Sequence, residues 1–469
     1  MLRRPLAVLL VALAGLIAAA TQPAQAAKLR FGPVPHRDGR DVAISPLDVV
    51  GASFGQREAR LTLRLRTRSS WNPGDLDGRV ARDLCVELFY GSRTGPRARI
   101  CVISRAGNAA LLYLRLNDAG QVDEQRALPA AVSRPSRRVL EAGFTRVEAG
   151  LPRGRFRWRV VSRWTGGATC PLAAPCTDLA PNRGTFSERI GFVAGPRCFG
   201  AAARNPGHRC SNPALRRAVI PTPRVAARTP NAHCASDSRV GLVSACTFGV
   251  STLLASTTVA IVGDSHAQHW RGALEVVAQA KRWHGVSITR AGCPLTHARP
   301  IIPGRVATRN CRLWIGQVED WFRRHSEVTT LVVAAHAGAR AAGNRQRGYR
   351  AAWNALPSSV RNIIVIHDAP SIGKQAGCIR RALALRRPPG LACAVPRRRG
   401  LRRDPHYAAA RRSGSRRVHA IDMTRFFCDP RVCFPVIGGA LVHKDGAHMT
   451  RVFAGTLGRF LLGRINRVT

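Results

Sequence analysis

Short apolar runs alternate with longer segments of helical periodicity throughout the second half of the chain, from about residue 231 onward. The apolar runs are predicted to be buried strands, at 258–262, 331–335, 363–366 and 418–422. The intervening segments are predicted to contain helices, at 267–283, 314–324 and 349–356. Such alternation favours an α/β fold with a mostly parallel sheet and helices on both faces. Ligands bind such sheets at the carboxyl ends of the strands, so functional residues are expected there.

The first half of the chain has a different pattern, which predicts a β-rich domain over residues 27–195. The strand candidates are 60–66, 110–116 and 155–161, and the first and last of them alternate polar with apolar residues. Short strands with polar outer faces are typical of an antiparallel sandwich. No catalytic set of residues stands out in this half. A carbohydrate-binding role and a packing role both stay open for it.

A segment rich in Pro, Ala and Arg separates the two halves at residues 196–232 and is predicted to be a connector. Within it, the run Pro221-Thr222-Pro223 is expected to be stiff and extended. The α/β domain is then expected to occupy residues 233–469.

The N-terminus has the pattern of a secretion signal. Two arginines at positions 3 and 4 precede an apolar run over 6–20, and Ala24-Gln25-Ala26 is a small-x-small cleavage site. This order is typical of a cleaved signal peptide, predicted here over residues 1–26. The alternative is a membrane anchor, for which the apolar run is short. We therefore expect a secreted or cell-envelope protein.

The 14 cysteines fall into neighbouring pairs along the chain. The pairs are Cys85 and Cys101, Cys170 and Cys176, Cys198 and Cys210, Cys234 and Cys246, Cys293 and Cys311, Cys378 and Cys393, and Cys428 and Cys433. An oxidising compartment would turn such neighbours into local disulfides, although sequence alone does not fix the connectivity. The alternative, zinc binding, needs clustered Cys-x-x-Cys spacing that this chain lacks. No metal site is expected.

The formal net charge is +48, and most of the positive charge comes from arginine. One interpretation is attraction to an anionic polymer, such as a charged wall polysaccharide or phospholipid headgroups. The other is a genome that favours arginine and alanine codons, since the arginines are spread along the whole chain. Nucleic acid is not an expected partner for an exported protein with few aromatic residues.

The sequence Val262-Gly263-Asp264-Ser265-His266 stands where a predicted buried strand ends and a helix begins. A serine at this point has its hydroxyl exposed at the sheet edge, beside free backbone N–H groups and the positive end of a helix dipole. Such a serine can act as a nucleophile. The alternative is a helix cap, because Ser and Asp favour that position.

A second motif near the C-terminus favours a nucleophilic role for Ser265 over a helix-capping role. The motif is Asp445-Gly446-Ala447-His448. Serine is a weak nucleophile that needs a base, normally histidine, and the histidine needs an orienting acid. Asp445 and His448 are close enough for one loop to present both. Asp445 could then hold one ring nitrogen of His448 while the other faces Ser265.

Together these motifs resemble the SGNH (GDSL-like) hydrolase superfamily, over about half the chain. The resemblance is greatest to SGNH domains fused to membrane-bound acyltransferases that O-acetylate surface polysaccharides. The matching features are Gly263-Asp264-Ser265-His266-Ala267 with Trp270, Gly292-Cys293-Pro294, Cys311 with Trp314, and Asp445-x2-His448-Met449-Thr450.

The resemblance implies a three-layer α/β/α sandwich with Ser265 as nucleophile, His448 as general base and Asp445 as orienting acid. It also implies an oxyanion hole formed by the backbone N–H groups of Ser265 and Gly292 and an asparagine side chain. This sequence departs from the family at the asparagine, since His336 follows the strand there. Either His336 donates instead, or the hole has two donors.

The sequence therefore predicts an exported serine esterase or O-acyltransferase that acts on acyl esters, acetyl esters above all, of a cell-surface or cell-wall glycan. No cofactor is expected. The partners are the acylated substrate and, for transfer, a separate membrane acyl donor; the oligomeric state is not predicted. Among the other polar residues, His266 and His269 are expected to pack and hydrogen-bond, and His367-Asp368 to be structural. The alternative function is a non-catalytic wall-polymer-binding protein with a degenerate SGNH domain.

Overall fold

A computed structural model describes residues 31–42, 45–76, 82–166, 169–208, 210–232 and 238–469. The predicted signal peptide and Cys234 lie outside these residues. No helix in the described ranges is long and apolar enough to cross a membrane.

The N-terminal half consists of β-strands, as the alternating pattern predicted. The strands are β1 (His36–Arg37), β2 (Val49–Arg57), β3 (Arg60–Thr67), β4 (Asp83–Phe89), β5 (Ala98–Arg105), β6 (Asn108–Leu116), β7 (Val122–Leu128), β8 (Ala131–Ser136), β9 (Val139–Phe144), β10 (Gly154–Trp164), β11 (Cys176–Ala180) and β12 (Phe186–Ile190). They form two antiparallel sheets, ordered β1-β2-β3-β9-β8 and β11-β10-β4-β5-β6-β7, with β12 also paired to β10. Alternate residues of β3 and β10 are buried, and side chains from both sheets share one apolar core.

The C-terminal half alternates strands and helices. Its further strands are β13 (Ser238–Val240), β14 (Val243–Gly249), β15 (Thr257–Gly263), β16 (Trp283–Thr289), β17 (Arg299–Pro300), β18 (Val328–Ala334), β19 (Ala341–Ala342), β20 (Asn362–Ile366), β21 (Val395–Pro396), β22 (Val418–Ile421), β23 (Val432–Cys433), β24 (Val436–Ile437) and β25 (Ala440–Leu441). The helices are α1 (Pro223–Arg228), α2 (Ser265–Lys281), α3 (Arg305–Arg324), α4 (Arg345–Asn354), α5 (Ala376–Ala384), α6 (Pro389–Ala392), α7 (Arg397–Gly400), α8 (Pro405–Arg411) and α9 (Arg451–Ile465).

The main sheet of this half is mixed. Its order is β13-β14-β16-β15-β18-β20-β22. The strands from β16 to β22 in that order pair in parallel, whereas β13 and β14 add an antiparallel edge. The expected parallel pairing therefore extends from β16 to β22, but the sheet as a whole is mixed because β14 pairs antiparallel to β16. Neither β14 nor β16 was predicted.

Helices cover both faces of this sheet. On β15, Val259 and Ile261 belong to one apolar core together with residues of α2 and α9. Their neighbours Ala260 and Val262 point into a second core with residues of α3 and α4. Strands buried on both faces explain why the sequence shows continuous apolar runs here rather than alternation.

The connector packs onto the C-terminal half. Phe199 and Leu215 lie in the same apolar core as α2 and α9. The prediction of an extended segment at Pro221–Pro223 agrees with the extended backbone of Thr222 but was wrong for Pro223, which is the first residue of α1, the helix that Thr222 caps. Proline suits this position, since the first N–H of a helix has no intrahelical partner.

Six of the seven predicted disulfides are present and confirm the neighbour pairing. They join Cys85 to Cys101, Cys170 to Cys176, Cys198 to Cys210, Cys293 to Cys311, Cys378 to Cys393 and Cys428 to Cys433. The seventh pair involves Cys234. Each bridge closes a short loop, which restricts the unfolded chain.

Candidate active site

Ser265 stands at a tight junction between β15 and α2. The strand ends at Gly263 and the helix begins at Ser265. Gly263 has a φ of 146°, and a Cβ there would meet the carbonyl oxygen of Ala334 well inside van der Waals contact. Asp264, rather than Ser265, is the helix cap, because its carboxylate accepts the N–H of His266 at 2.8 Å. The serine hydroxyl is thus left free for another partner.

That partner is His448. The Ser265 Oγ lies 2.9 Å from His448 Nε2, and His448 Nδ1 lies 2.8 Å from Asp445 Oδ2. The other Asp445 oxygen accepts the N–H groups of Ala447 and His448, at 2.9 and 2.8 Å. The structure therefore brings Ser265, His448 and Asp445 into one chain of hydrogen bonds.

Asp445 is held as a carboxylate. Partial burial alone raises its pKa, but the N–H groups of Ala447 and His448 and the adjacent imidazole outweigh burial and hold this pKa below its usual value. Charge-assisted hydrogen bonds of this kind favour the ionised form. The side chains of His448 and Asp445 are 30% and 43% exposed, so the site is open to solvent.

Asp264 also links the carboxyl ends of β15 and β18 through a hydrogen bond. Its second carboxylate oxygen accepts the N–H of His336 at 2.9 Å, just beyond β18. The main-chain donor of His336 is therefore already used, which leaves only its imidazole as a candidate donor to an oxyanion. The ring is half-buried, and burial lowers its pKa.

Gly292 lies in the loop after β16, at the same edge of the sheet as Ser265. This loop begins beside the nucleophile, since the N–H of Arg290 donates to the carbonyl of Gly263 at 3.0 Å. Gly292 is exposed and has a φ of 68°. Its N–H has no hydrogen-bond acceptor within the described ranges. A free donor beside the serine suits an oxyanion hole.

A buried ion pair lies beneath the nucleophile. His266 Nδ1 is 2.6 Å from Asp368 Oδ1, and both side chains are 3% exposed. Burial lowers the pKa of His266, but the Asp368 charge and hydrogen bond overcome this and raise it above its usual value. The second Asp368 oxygen accepts the N–H of Ala337 at 2.8 Å. His266 therefore has the hydrogen-bonding role expected of it.

His269 is neutral by contrast. It is fully buried, and burial with the neighbouring imidazoles lowers its pKa well below the usual value. Its Nδ1 accepts the N–H of Met449 at 3.3 Å. His266, His269 and Asp368 place ligand atoms within 4.8 Å of one another. The contact between His266 and Asp368 is already a hydrogen bond, so this group is better described as an ion pair with a packed neutral imidazole than as a metal centre.

Asp404 is a supporting residue that the sequence reasoning missed. It caps α8 by accepting the N–H groups of His406 and Tyr407. Its other oxygen accepts the N–H of Asp368 at 2.9 Å. The sequence signal was Asp404-Pro405, an acidic cap before a proline at the first helical position.

Comparisons with known proteins identify the family of the C-terminal half. Residues 231–462 match the family model described as "SGNH domain (fused to AT3 domains)". The C-terminal half of the chain is therefore an SGNH domain, which confirms the resemblance seen in its motifs. A search of curated proteins finds no significant match.

Two solved structures show partial likeness. One is the periplasmic domain of the lipopolysaccharide acetyltransferase of Salmonella ser. Paratyphi A, with 13% identity and a TM-score of 0.37, covering 47% of this chain and 89% of that chain. The other is a putative carbohydrate-binding protein from Bacteroides uniformis ATCC 8492, with 13% identity and a TM-score of 0.20, covering 35% of this chain and 87% of that chain.

Proposed function

We propose that this protein is an extracytoplasmic serine esterase or O-acyltransferase that acts on acyl esters, acetyl esters above all, of a cell-surface or cell-wall glycan. The observation that carries the proposal is the hydrogen-bonded chain from Ser265 through His448 to Asp445. A serine hydroxyl 2.9 Å from a histidine that is itself held by a carboxylate has the geometry of an activated nucleophile.

The reaction runs in two steps. His448 takes the Ser265 proton as Oγ attacks the ester carbonyl, and the tetrahedral intermediate collapses when the bond to the glycan oxygen breaks. His448 returns its proton to that oxygen, which leaves an acyl-enzyme. A second nucleophile then loses its proton to His448 and attacks the acyl group. Water gives hydrolysis, and a sugar hydroxyl gives transfer. No cofactor takes part in this chemistry.

Several groups support the negative charge that forms on the carbonyl oxygen. The backbone N–H groups of Ser265 and Gly292 are the first two donors, and the His336 ring is the third candidate. The N-terminus of α2 contributes its dipole. His266 follows the nucleophile directly, and its imidazole is fixed by a 2.6 Å hydrogen bond to Asp368.

The location and the second nucleophile follow from two observations. Six disulfides indicate an oxidising compartment outside the cytoplasm. The exposure of His448 and Asp445 admits water to the acyl-enzyme, so we favour hydrolysis. Transfer would require a sugar hydroxyl that reaches the acyl-enzyme ahead of water; a separate membrane acyl donor is one possible source of the acyl group.

Covalent labelling tests the proposal directly. We expect a serine-directed fluorophosphonate to add once to the folded wild-type chain, at Ser265, and to leave Ser265→Ala unlabelled. Ser251→Ala is the matched control, because Ser251 donates to Glu148 in a remote contact and its loss should not affect labelling. Intact mass and peptide mapping give the readout. Equal labelling of wild type and Ser265→Ala would remove Ser265 from the mechanism.

The N-terminal half supports a second candidate function, binding of an anionic polymer. A cleft of about 540 Å³ lies on the sheet formed by β1, β2 and β3. Its lining includes Arg37, Arg40, Arg64, Arg66, Arg68 and Arg138. Among the described residues, Arg64 pairs with Glu141 and Arg68 with Asp48. Clustered arginines raise the local concentration of an anionic ligand, so the sandwich would hold the polymer on which the SGNH domain acts.

Removing two of these charges tests the cleft. Arg37→Ser with Arg66→Ser is expected to weaken binding of an acidic polysaccharide, such as dextran sulfate, about tenfold at low salt. The control is Arg105→Ser with Arg155→Ser, which removes the same charge from exposed positions on the other sheet. Affinity electrophoresis, with neutral dextran as a blank, gives the comparison. Equal weakening in both double variants would mean that total charge, not the cleft, governs binding.

A further inference from the structure

Three aspartates meet at one end of the β-sandwich, far along the chain from the SGNH site. Carboxylate oxygens of Asp41, Asp48 and Asp178 all lie within 4.8 Å of one another. Asp48 directly precedes β2, and Asp178 belongs to β11 on the other sheet. The cluster therefore spans the junction between the two sheets.

Two of these carboxylates are buried without enough hydrogen-bond partners. Asp48 is 0% and Asp178 is 2% exposed. Among the described residues, the Oδ1 of Asp178 has no hydrogen-bond partner, and the N–H of Val42 approaches the Asp48 carboxylate without forming a well-aligned hydrogen bond. Asp178 Oδ2 accepts the N–H of Val49 at 2.6 Å. The Arg68 Nη1 lies 4.0 Å from Asp48 Oδ2, which is beyond hydrogen-bonding distance.

An uncompensated buried carboxylate is costly, because it loses its hydration and gains nothing in return. Asp38 adds further negative charge near the cluster, and Arg68 and Arg40 add opposing positive charge.

We propose that Asp41, Asp48 and Asp178 bind one divalent cation, with Ca²⁺ as the expected ion. All three ligands are hard oxygen donors, which Ca²⁺ prefers, whereas zinc sites favour nitrogen and sulfur. Each of the three residues places a carboxylate oxygen within 4.8 Å of the other two; Asp48 and Asp178 are buried, and Asp41 is exposed. Extracellular modules commonly bind Ca²⁺ with dissociation constants of about 10⁻⁴–10⁻³ M, which fits an exported protein.

The ion would clamp the two sheets together. Asp178 already holds the first residue of β2 through the N–H of Val49, so a cation shared with Asp48 would reinforce the same junction. The arginine cleft begins beside it, because Asp38 and Arg68 line that cleft. Calcium is thus expected to stabilise the sandwich and to fix one wall of the cleft. This inference is independent of the catalytic proposal.

Equilibrium dialysis of the full-length chain with ⁴⁵Ca²⁺, after treatment with a chelator, tests the site. We expect about one ion per chain near millimolar Ca²⁺. The net charge of +48 disfavours nonspecific binding of cations elsewhere on the chain, so the background in this measurement is expected to be low. Asp48→Asn and Asp178→Asn should each lower the affinity at least tenfold. Asp118→Asn, a 94% exposed aspartate of the same half, is the matched control and should bind normally.

A thermal-unfolding measurement guards against variants that misfold. Asparagine keeps the shape of aspartate and removes the charge, so both variants are expected to fold without the ion. The wild type should gain about 3–6 °C in melting temperature with excess Ca²⁺, and Asp48→Asn should gain nothing. Absence of Ca²⁺ binding to the wild type at millimolar concentration overturns the proposal. Unchanged binding in Asp48→Asn overturns it as well.

Discussion

Replacing Ser265 with alanine is expected to lower kcat for p-nitrophenyl acetate hydrolysis by about 10⁴- to 10⁶-fold. The alanine has no oxygen to attack the carbonyl, and no other hydroxyl is hydrogen-bonded to His448 in the described ranges. Replacing His448 with alanine should cost a similar factor, because the Ser265 proton then has no acceptor. Replacing Asp445 with asparagine should cost about 10³- to 10⁴-fold, since the imidazole would lose its orienting charge.

The three residues act as one unit, so their effects should not add. The double variant Ser265→Ala with His448→Ala is expected to be no slower than Ser265→Ala alone. Steady-state rates of the single and double variants give this comparison, with circular dichroism as a check on folding. If losing Ser265 and His448 together multiplies the two single effects, these side chains do not share one mechanism.

The second large effect is expected for Gly263→Ala, which should destabilise the SGNH domain by about 3–5 kcal/mol. Gly263 has a φ of 146°, which side-chain-bearing residues rarely adopt. A Cβ there would also meet the carbonyl oxygen of Ala334 and lie 2.9 Å from the Cβ of Ala267. To relieve these close contacts, β15 would have to move away from β18, and this movement would displace Ser265. Activity should fall even at temperatures where the variant remains folded.

Gly316→Ala is the matched control for this substitution. Gly316 is an exposed residue within α3, and a Cβ there would meet nothing within 4 Å. Alanine should stabilise the helix by about 0.5–1 kcal/mol, because it restricts the unfolded chain more than glycine does. Denaturant unfolding of both variants measures the difference. Equal stability of Gly263→Ala and wild type would contradict the packing described for this turn.

The sequence predicted the site residues that belong to short local motifs. Ser265 follows a buried strand, and Asp445 with His448 lie three residues apart, so local patterns were enough to single out all three. The apolar runs at β15, β18 and β20 were recognisable because strands buried on both faces are continuously apolar. The disulfide pairs were also predictable from local sequence, since each bridge joins neighbouring cysteines.

What the sequence could not predict depends on contacts between distant residues. His266 and Asp368 are separated by 102 positions, and nothing local to either one indicates the ion pair. The same holds for Asp48 and Asp178, which lie on different sheets. The antiparallel edge was missed because the pairing of β14 depends on β16, a neighbour that the sequence pattern did not reveal. These are effects of tertiary context rather than of local propensity.

The ion pair between Glu58 and Arg451 links the sandwich to the acid–base loop. Glu58 lies in the turn between β2 and β3, and its carboxylate is 2.8 Å from Arg451 Nε. Arg451 is the first residue of α9, three positions after His448. The sandwich therefore braces the base of the loop that carries His448. A second pair, Arg60 with Glu275, joins the sandwich to the helix that begins at Ser265, so a force on the sandwich would reach both segments of the candidate site.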